Sequence, residues 1–324
     1  MSVTADDPAL AALGAARRAH ESPPLAPILE GRRLGPYRGY AELLGAIERL
    51  TQRGARLTVI GRSVKSEPIF AVEMGSRRPS ARTTVLLSAV HPIEWIGIEV
   101  HLALLERLVA QDLQDRTVIA VPIVNPDGLV RVESDLRAGR RRFVRHNAHG
   151  VDLNRNFDAR WHDRGLLQRL LSSLWNPGSR PGSEPEVAAL AHHLAPRRVD
   201  RALSLHSFGG AVLYPSAASL WPIWDAAEHR AWARRIADAA DIEPYRALPC
   251  ALFAAGMTAG GLELDWLHDR HGAVSLLIEC SRRNAGLHPA RLFTPFAWFN
   301  PARPGAVVAA LASATLPYAR GDAA

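Results

Sequence analysis

Three apolar runs in this chain end in side chains that carry charge or bind metal. Residues 83–90 (TTVLLSAV) run into His91, Pro92, Ile93 and Glu94. Residues 201–207 (RALSLHS) close on His206 and Ser207, and residues 273–280 (AVSLLIEC) close on Glu279 and Cys280. Continuous apolar strands separated by helical patterns read as a largely parallel sheet covered on both faces, a three-layer α/β/α sandwich. In open sheets of this kind, sites form beyond the carboxyl ends of the strands. Residues far apart in sequence then converge, and two imidazoles with one carboxylate are a zinc set that leaves a fourth position for water. The H-x-x-E spacing lets His91 and Glu94 reach one ion as the chain leaves its strand, with the third ligand, His206, coming from a neighbouring strand. Taken singly, each residue has a plainer reading: Glu94 caps a helix, and His206 is a satisfied histidine at a strand end.

The rest of the chain bounds the class. Its 324 residues suit one large α/β domain better than two small ones. Helical spacing marks residues 39–52, 95–110, 184–195, 226–240 and 304–315, and strands are expected at 57–63, 68–74 and 117–124. Residues 1–34 hold an Ala-rich stretch and then a Pro-rich break, so they are expected to be peripheral, with a single catalytic domain over 35–324. Hydrophobic residues at 48% exclude a disordered chain, and two cysteines exclude a disulfide framework or a Cys-rich zinc site. No apolar run of about 18 residues appears, so no membrane span is expected. The first residues lack the pattern of a signal peptide, and a cytoplasmic location is the expectation. The net charge of +7 is almost all arginine, scattered rather than clustered, with aromatics at only 6%. That pattern argues against a nucleic-acid surface and agrees better with anionic substrates.

Further motifs sharpen the reading. NPDG at 125–128, RHNAHG at 145–150, GVDLNRNF at 150–157 and SEPE at 183–186 follow the H-x-x-E pair in that order. With His206 and Glu279 after them, the chain resembles the zinc metallocarboxypeptidases, the family of pancreatic carboxypeptidase A, and among them the short bacterial members. The resemblance covers roughly residues 37–300. It implies one zinc ion per chain bound by His91, Glu94 and His206, and a peptide substrate with a free carboxylate held by Asn154 and Arg155. An arginine fork matches a carboxylate bidentately. Arg145 would polarise the scissile carbonyl, with Arg141 and Arg142 as rivals. Glu279 would be the general base, taking a proton from water and delivering it to the leaving amine. Asp152 reads either as an acceptor that orients a ligand histidine or as a loop hydrogen bond. Asp127 reads as an Asp-Gly turn, His101, His192 and His193 as structural or solvated, and Cys280 as a core thiol.

One departure stands out. Digestive members carry a mobile tyrosine shortly before a G-x-x-x-D-W segment. That segment is Gly261–Trp266 here, and counting back puts Met257 at the tyrosine's place. A thioether cannot donate a strong hydrogen bond. Leu264 falls near the position that lines the side-chain pocket, which suggests an apolar preference. The rival readings are a murein peptide amidase of the same fold and an aspartoacylase-like deacylase, against which NPDG and SEPE count. A non-catalytic binding module is disfavoured by the intact ligand set and Glu279.

Overall fold

Side chains along the central strands alternate between two apolar environments, and this alternation fixes where the sheet lies. The structure, a computed structural model, describes residues 7–78, 80–242, 244–253, 255–282 and 289–323. Its strands are β1 (Arg56–Arg62), β2 (Pro68–Gly75), β3 (Arg82–Ser88), β4 (Arg116–Val121), β5 (Arg198–His206), β6 (Ala211–Tyr214), β7 (Arg246–Pro249) and β8 (Val274–Glu279). Leu86, Val118, Ala120, Leu203 and Ile278 pack on one face against helices that include Trp95–Leu108, Ala226–Ala239 and Gly305–Arg320. Val85, Leu87, Ile119 and Val121 pack on the other, against helices Pro185–Leu194 and Glu263–His271. A strand buried on both faces must be apolar at every position, which is why these runs lack a polar stripe.

The strands form one sheet in the order β1-β2-β4-β3-β5-β8-β6-β7. The central four, β4-β3-β5-β8, are mutually parallel, while β2 joins β4 and β6 joins β8 in antiparallel fashion. The sheet is therefore mixed, with the parallel part in the middle. Strands β6 and β7 have four residues each, too short for the period of the sequence to mark them. Register decides the site. Ser88 pairs with Leu205, and His206 pairs directly with Glu279, so β3, β5 and β8 end at one level.

The segment before residue 35, expected at the periphery, supplies helices Pro8–Ala19 and Ala26–Gly31. Leu13, Leu25 and Leu29 from this segment are fully enclosed in the main core; residues 1–6 lie outside the described residues. Among the described residues no helix is long and apolar enough to cross a membrane. Because Leu29 is fully buried, Leu29→Ala should cost about 2–5 kcal/mol of unfolding free energy in a urea titration. A change below about 0.5 kcal/mol, the range of a surface substitution, would mean that this segment packs only loosely.

Candidate metal centre

His91 lies three residues past the end of β3, in a turn that leads into helix Trp95–Leu108. Glu94 precedes that helix but does not cap it. Its carboxylate turns inward instead. Oε1 lies 2.9 Å from His91 Nδ1, and Oε2 lies 2.9 Å from His206 Nδ1 and accepts the Ser207 N–H at 3.1 Å. The helix start is held by another residue. Asn300 Oδ1 accepts the Ile96 N–H and its amide donates to the Ile93 carbonyl, both at 2.8 Å. No sequence signal marked Asn300, because these two partners lie about 200 residues away.

The donor set fits one divalent cation. His91 Nε2 faces Asp152 Oδ1 at 3.1 Å, and His206 Nε2 faces Glu263 Oε1 at 2.6 Å. Both nitrogens of each ring thus face a carboxylate, which only accepts; a cation on the Nδ1 side would leave the proton on Nε2 and take the Nδ1 lone pair. Those two Nδ1 atoms lie 3.1 Å apart, beside the Glu94 carboxylate, with all three side chains buried. Only a cation or a shared proton makes such a cluster favourable. Burial opposes charge on His206, yet the carboxylates of Glu263 and Glu94 hold its pKa well above the ordinary histidine range.

Asp152 is held from two sides: Arg145 Nε donates to its Oδ2 at 2.8 Å, and the Asn154 N–H to its Oδ1 at 3.1 Å. Burial alone would raise its pKa, but the charges of Arg145 and His91 hold it well below the usual carboxylate range. Of the two readings of Asp152, the structure thus favours the orienting acceptor. Of the three rival arginines, Arg145 reaches the cavity, while Arg141 and Arg142 are exposed.

The cluster opens into a cavity of about 270 Å³ lined by His91, Glu94, Arg145, Asn154, Arg155, His206 and Glu279 among others. Glu279 Oε2 has no hydrogen-bond partner among the described residues. Burial, with the nearby charge of Glu94, pushes its carboxyl up to about 8. Arg155 is buried as well, and its Nε also lacks a partner among the described residues. Asn154 Oδ1 accepts the Glu263 N–H at 3.1 Å. Met257 lines the same cavity, so a thioether and no hydroxyl stands there.

Two expectations need correction. Leu264 does not line the cavity; it is enclosed with Ala211, Leu213 and Leu277, and Leu262 takes the lining position. A helix begins at Glu263, and side chains two apart at a helix start point to nearly opposite sides. NPDG is not a bare turn. Pro126 opens helix Pro126–Arg137, and Asn125 Oδ1 caps it by accepting the Gly128 N–H at 3.0 Å. Asp127 then accepts from Ser63 Oγ at 2.6 Å and the Lys65 N–H at 2.9 Å, tying the β1–β2 turn to the site's support. Glu263 was not singled out by the sequence at all, since an acid in a helix's first turn is ordinary there. His101 and Cys280 are buried away from the cavity, as their plain readings require.

A second group, Asp225, His229 and His268, has metal-like composition. However, His229 Nε2 accepts the Ser275 N–H at 3.0 Å, which leaves the ring proton on Nδ1, the atom facing Asp225. That ring has no lone pair to offer an ion beside Asp225, and the group is a structural hydrogen-bond chain.

The raised pKa of His206 means that a cation entering this cluster displaces a proton. Zinc binding should release about one proton, and apparent affinity should rise by about tenfold per pH unit while His206 is protonated in the metal-free protein. Calorimetry in buffers of different ionisation enthalpy measures this; proton-neutral binding near pH 7 would show that His206 is already unprotonated.

Comparison with known proteins follows the same line. The chain is 30% identical to carboxypeptidase A6 of Mus musculus over 181 residues, 51% of this chain and 41% of that protein. It is 30% identical to carboxypeptidase B of Helicoverpa zea over 210 residues, 57% of this chain and 48% of that protein. The chain spans about half the length of the curated relatives it matches. Among solved structures, carboxypeptidase A from Helicoverpa armigera superimposes with a TM-score of 0.71 at 20% identity, covering 89% of this chain and 74% of that one. Bovine thrombin-activatable fibrinolysis inhibitor, solved with a tick carboxypeptidase inhibitor, gives 0.67 at 23% identity, covering 88% and 97%. At such identities the likeness is one of fold. The profile of the zinc carboxypeptidase family matches residues 40–298, a span that contains the His91, Glu94 and His206 cluster and Glu279, and the protein belongs to that family.

Proposed function

We propose that this chain is a metallocarboxypeptidase that holds one zinc ion and hydrolyses the peptide bond next to a free C-terminal carboxylate. The observation that carries this reading is one shared cavity. The His91, Glu94 and His206 cluster, Glu279, whose Oε2 has no hydrogen-bond partner among the described residues, and the buried Arg155 guanidinium all line it. A zinc ion held by the three ligands would supply a Lewis acid and lower the pKa of a water molecule toward neutrality. The chain's own residues account for the rest. Arg155 and the NH₂ group of Asn154 bind the terminal carboxylate. Asn154 is oriented for this because its oxygen is already engaged by the Glu263 N–H. Arg145, whose Nε is anchored on Asp152, presents its remaining donors to the scissile carbonyl oxygen. Glu279 accepts the proton of the attacking water and passes it to the leaving amine nitrogen. With Met257 in place of a hydroxyl, carboxylate recognition falls to Asn154 and Arg155.

The cavity wall supports a substrate class. Leu213, Ala217, Cys250, Phe253, Leu262 and Leu277 line it and carry no charge. A terminal residue with an apolar side chain fits that wall; a lysine or arginine would leave its charge unpaired there.

Two outcomes test the roles. Glu279→Gln should keep zinc and fold but lose about 10²–10⁴-fold in turnover, the range of a general base. A rate above about a tenth of wild type would remove Glu279 from that role. The base must be unprotonated, so activity should fall as pH drops through its raised pKa, placing the acid limb of kcat/KM above the ordinary carboxylate range.

Arg155→Ala should lower kcat/KM by roughly 30- to 4,000-fold, the cost of truncating one partner of a desolvated charge pair. Amidating the substrate's C-terminus should cost the wild type a similar factor, and the two losses should not add, because each removes the same contact. The comparison that tests the function itself sets apolar α-linked peptides against a γ-D-glutamyl-diaminopimelate peptide, with and without chelator. Chelator-sensitive release of single C-terminal residues from the former is expected. Rapid cleavage of the latter with silence on the former would make the chain a murein peptide amidase instead.

A further inference from the structure

Behind the second histidine sits a carboxylate that the reaction itself does not call for. Glu263 is the first residue of helix Glu263–His271 and is fully buried. Its Oε1 lies 2.6 Å from His206 Nε2 and accepts from Ser204 Oγ at 3.0 Å. Its Oε2 has no hydrogen-bond partner among the described residues. Burying an ionised carboxylate costs several kcal/mol unless a partner offsets it. An acid in the first turn of a helix normally reaches solvent and still favours the dipole. This one instead points inward at a ring nitrogen.

The geometry parallels that behind His91. There Asp152 faces Nε2 at 3.1 Å. In both cases the carboxylate anchors Nε2 from behind and so aims Nδ1 at the shared centre beside Glu94. The two supports are joined. The backbone N–H of Glu263 donates to Asn154 Oδ1, and Asn154 donates its own N–H to Asp152. The contact is close: a Cβ on Gly261 would fall 2.2 Å from the Arg155 carbonyl oxygen, so only glycine lets the two segments touch.

Building on the zinc reading, we propose that Glu263 is a positioning residue for the metal centre, holding His206 as the Nε2–H tautomer with its Nδ1 lone pair on the ion. Its side chain serves the metal. Its main chain serves the residue that meets the substrate's carboxylate. The role does not require contact with substrate.

The side-chain and main-chain roles separate experimentally. In the full-length chain, Glu263→Gln and Glu263→Asp should each weaken zinc binding by about 10- to 100-fold, as loss of such a support does elsewhere. Competition with a chromophoric chelator reads this without any enzyme assay. At saturating zinc, KM should be unchanged, because the backbone N–H that orients Asn154 remains. Thermal stability of the metal-free protein should fall modestly, since the Oε1 contacts to His206 and Ser204 are lost or weakened, while the stabilisation gained on adding zinc should shrink by more. The Asp variant keeps the charge but not the reach, so it tests the contact should the Gln variant fail to fold. Zinc affinity within threefold of wild type in either folded variant would overturn the proposal. So would a loss of metal-free stability that accounts for the whole effect. A wild-type chain whose zinc binding is indifferent to His206→Ala would overturn the metal centre itself, and is a distinct result from failure of Glu263 alone.

Discussion

Two imidazole nitrogens 3.1 Å apart, both turned toward one carboxylate, set the terms for everything around them. Left alone, that arrangement would relax by rotating a ring. It cannot, because each ring is held from behind by a carboxylate that only accepts hydrogen bonds. Those carboxylates are buried and need support of their own. Asp152 finds it in Arg145 and in the Asn154 N–H, and Glu263 in the Ser204 hydroxyl. The residues that orient the two rings thus lie outside the candidate ligand set.

The sheet makes this convergence inexpensive. Parallel strands β3, β5 and β8 end at one level, so His206 and Glu279 are neighbours by register alone. The loop residues need more. GVDLNRNF folds as a short turn whose polar side chains each hold a different element. Asp152 supports His91 and Asn154 meets Glu263. Asn156 ties the loops around Pro177, Arg180 and Ser183, and its oxygen accepts the Glu184 N–H. SEPE completes this lattice, with Glu184 and Glu186 both accepting from the Asn147 amide. The density of that motif follows from the number of segments it must fasten, and Arg155 sits between two residues, Asn154 and Asn156, that are both held in place.

Much of this was legible in the chain. The apolar strands are long, so their two-sided burial shows in composition. The candidate metal ligands sit where a strand stops and a polar residue follows, and GVDLNRNF is dense in polar and charged types. The same reading could not see β6 and β7, whose four residues carry no period, nor the role of the first 34 residues, whose buried leucines look like those of any short helix. It placed Leu264 in the cavity by counting along an extended segment. The helix that starts at Glu263 turned that residue inward and gave the wall to Leu262.

What the sequence determined by itself was the set of chemical types and the strand ends that carry them, because burial on both faces and the abrupt change to polar residues are local properties. Tertiary structure alone decided the long-range pairings. Asn300 reaches the start of a helix about 200 residues earlier, and Glu263 becomes the partner of His206 across 57 residues. Choice of Arg145 over Arg141 and Arg142 belongs to the same class, since all three are arginines within five positions and only one meets Asp152. A hydrogen bond between segments leaves no period and no spacing in either of them; it exists only when the packed sheet brings the two within 3 Å.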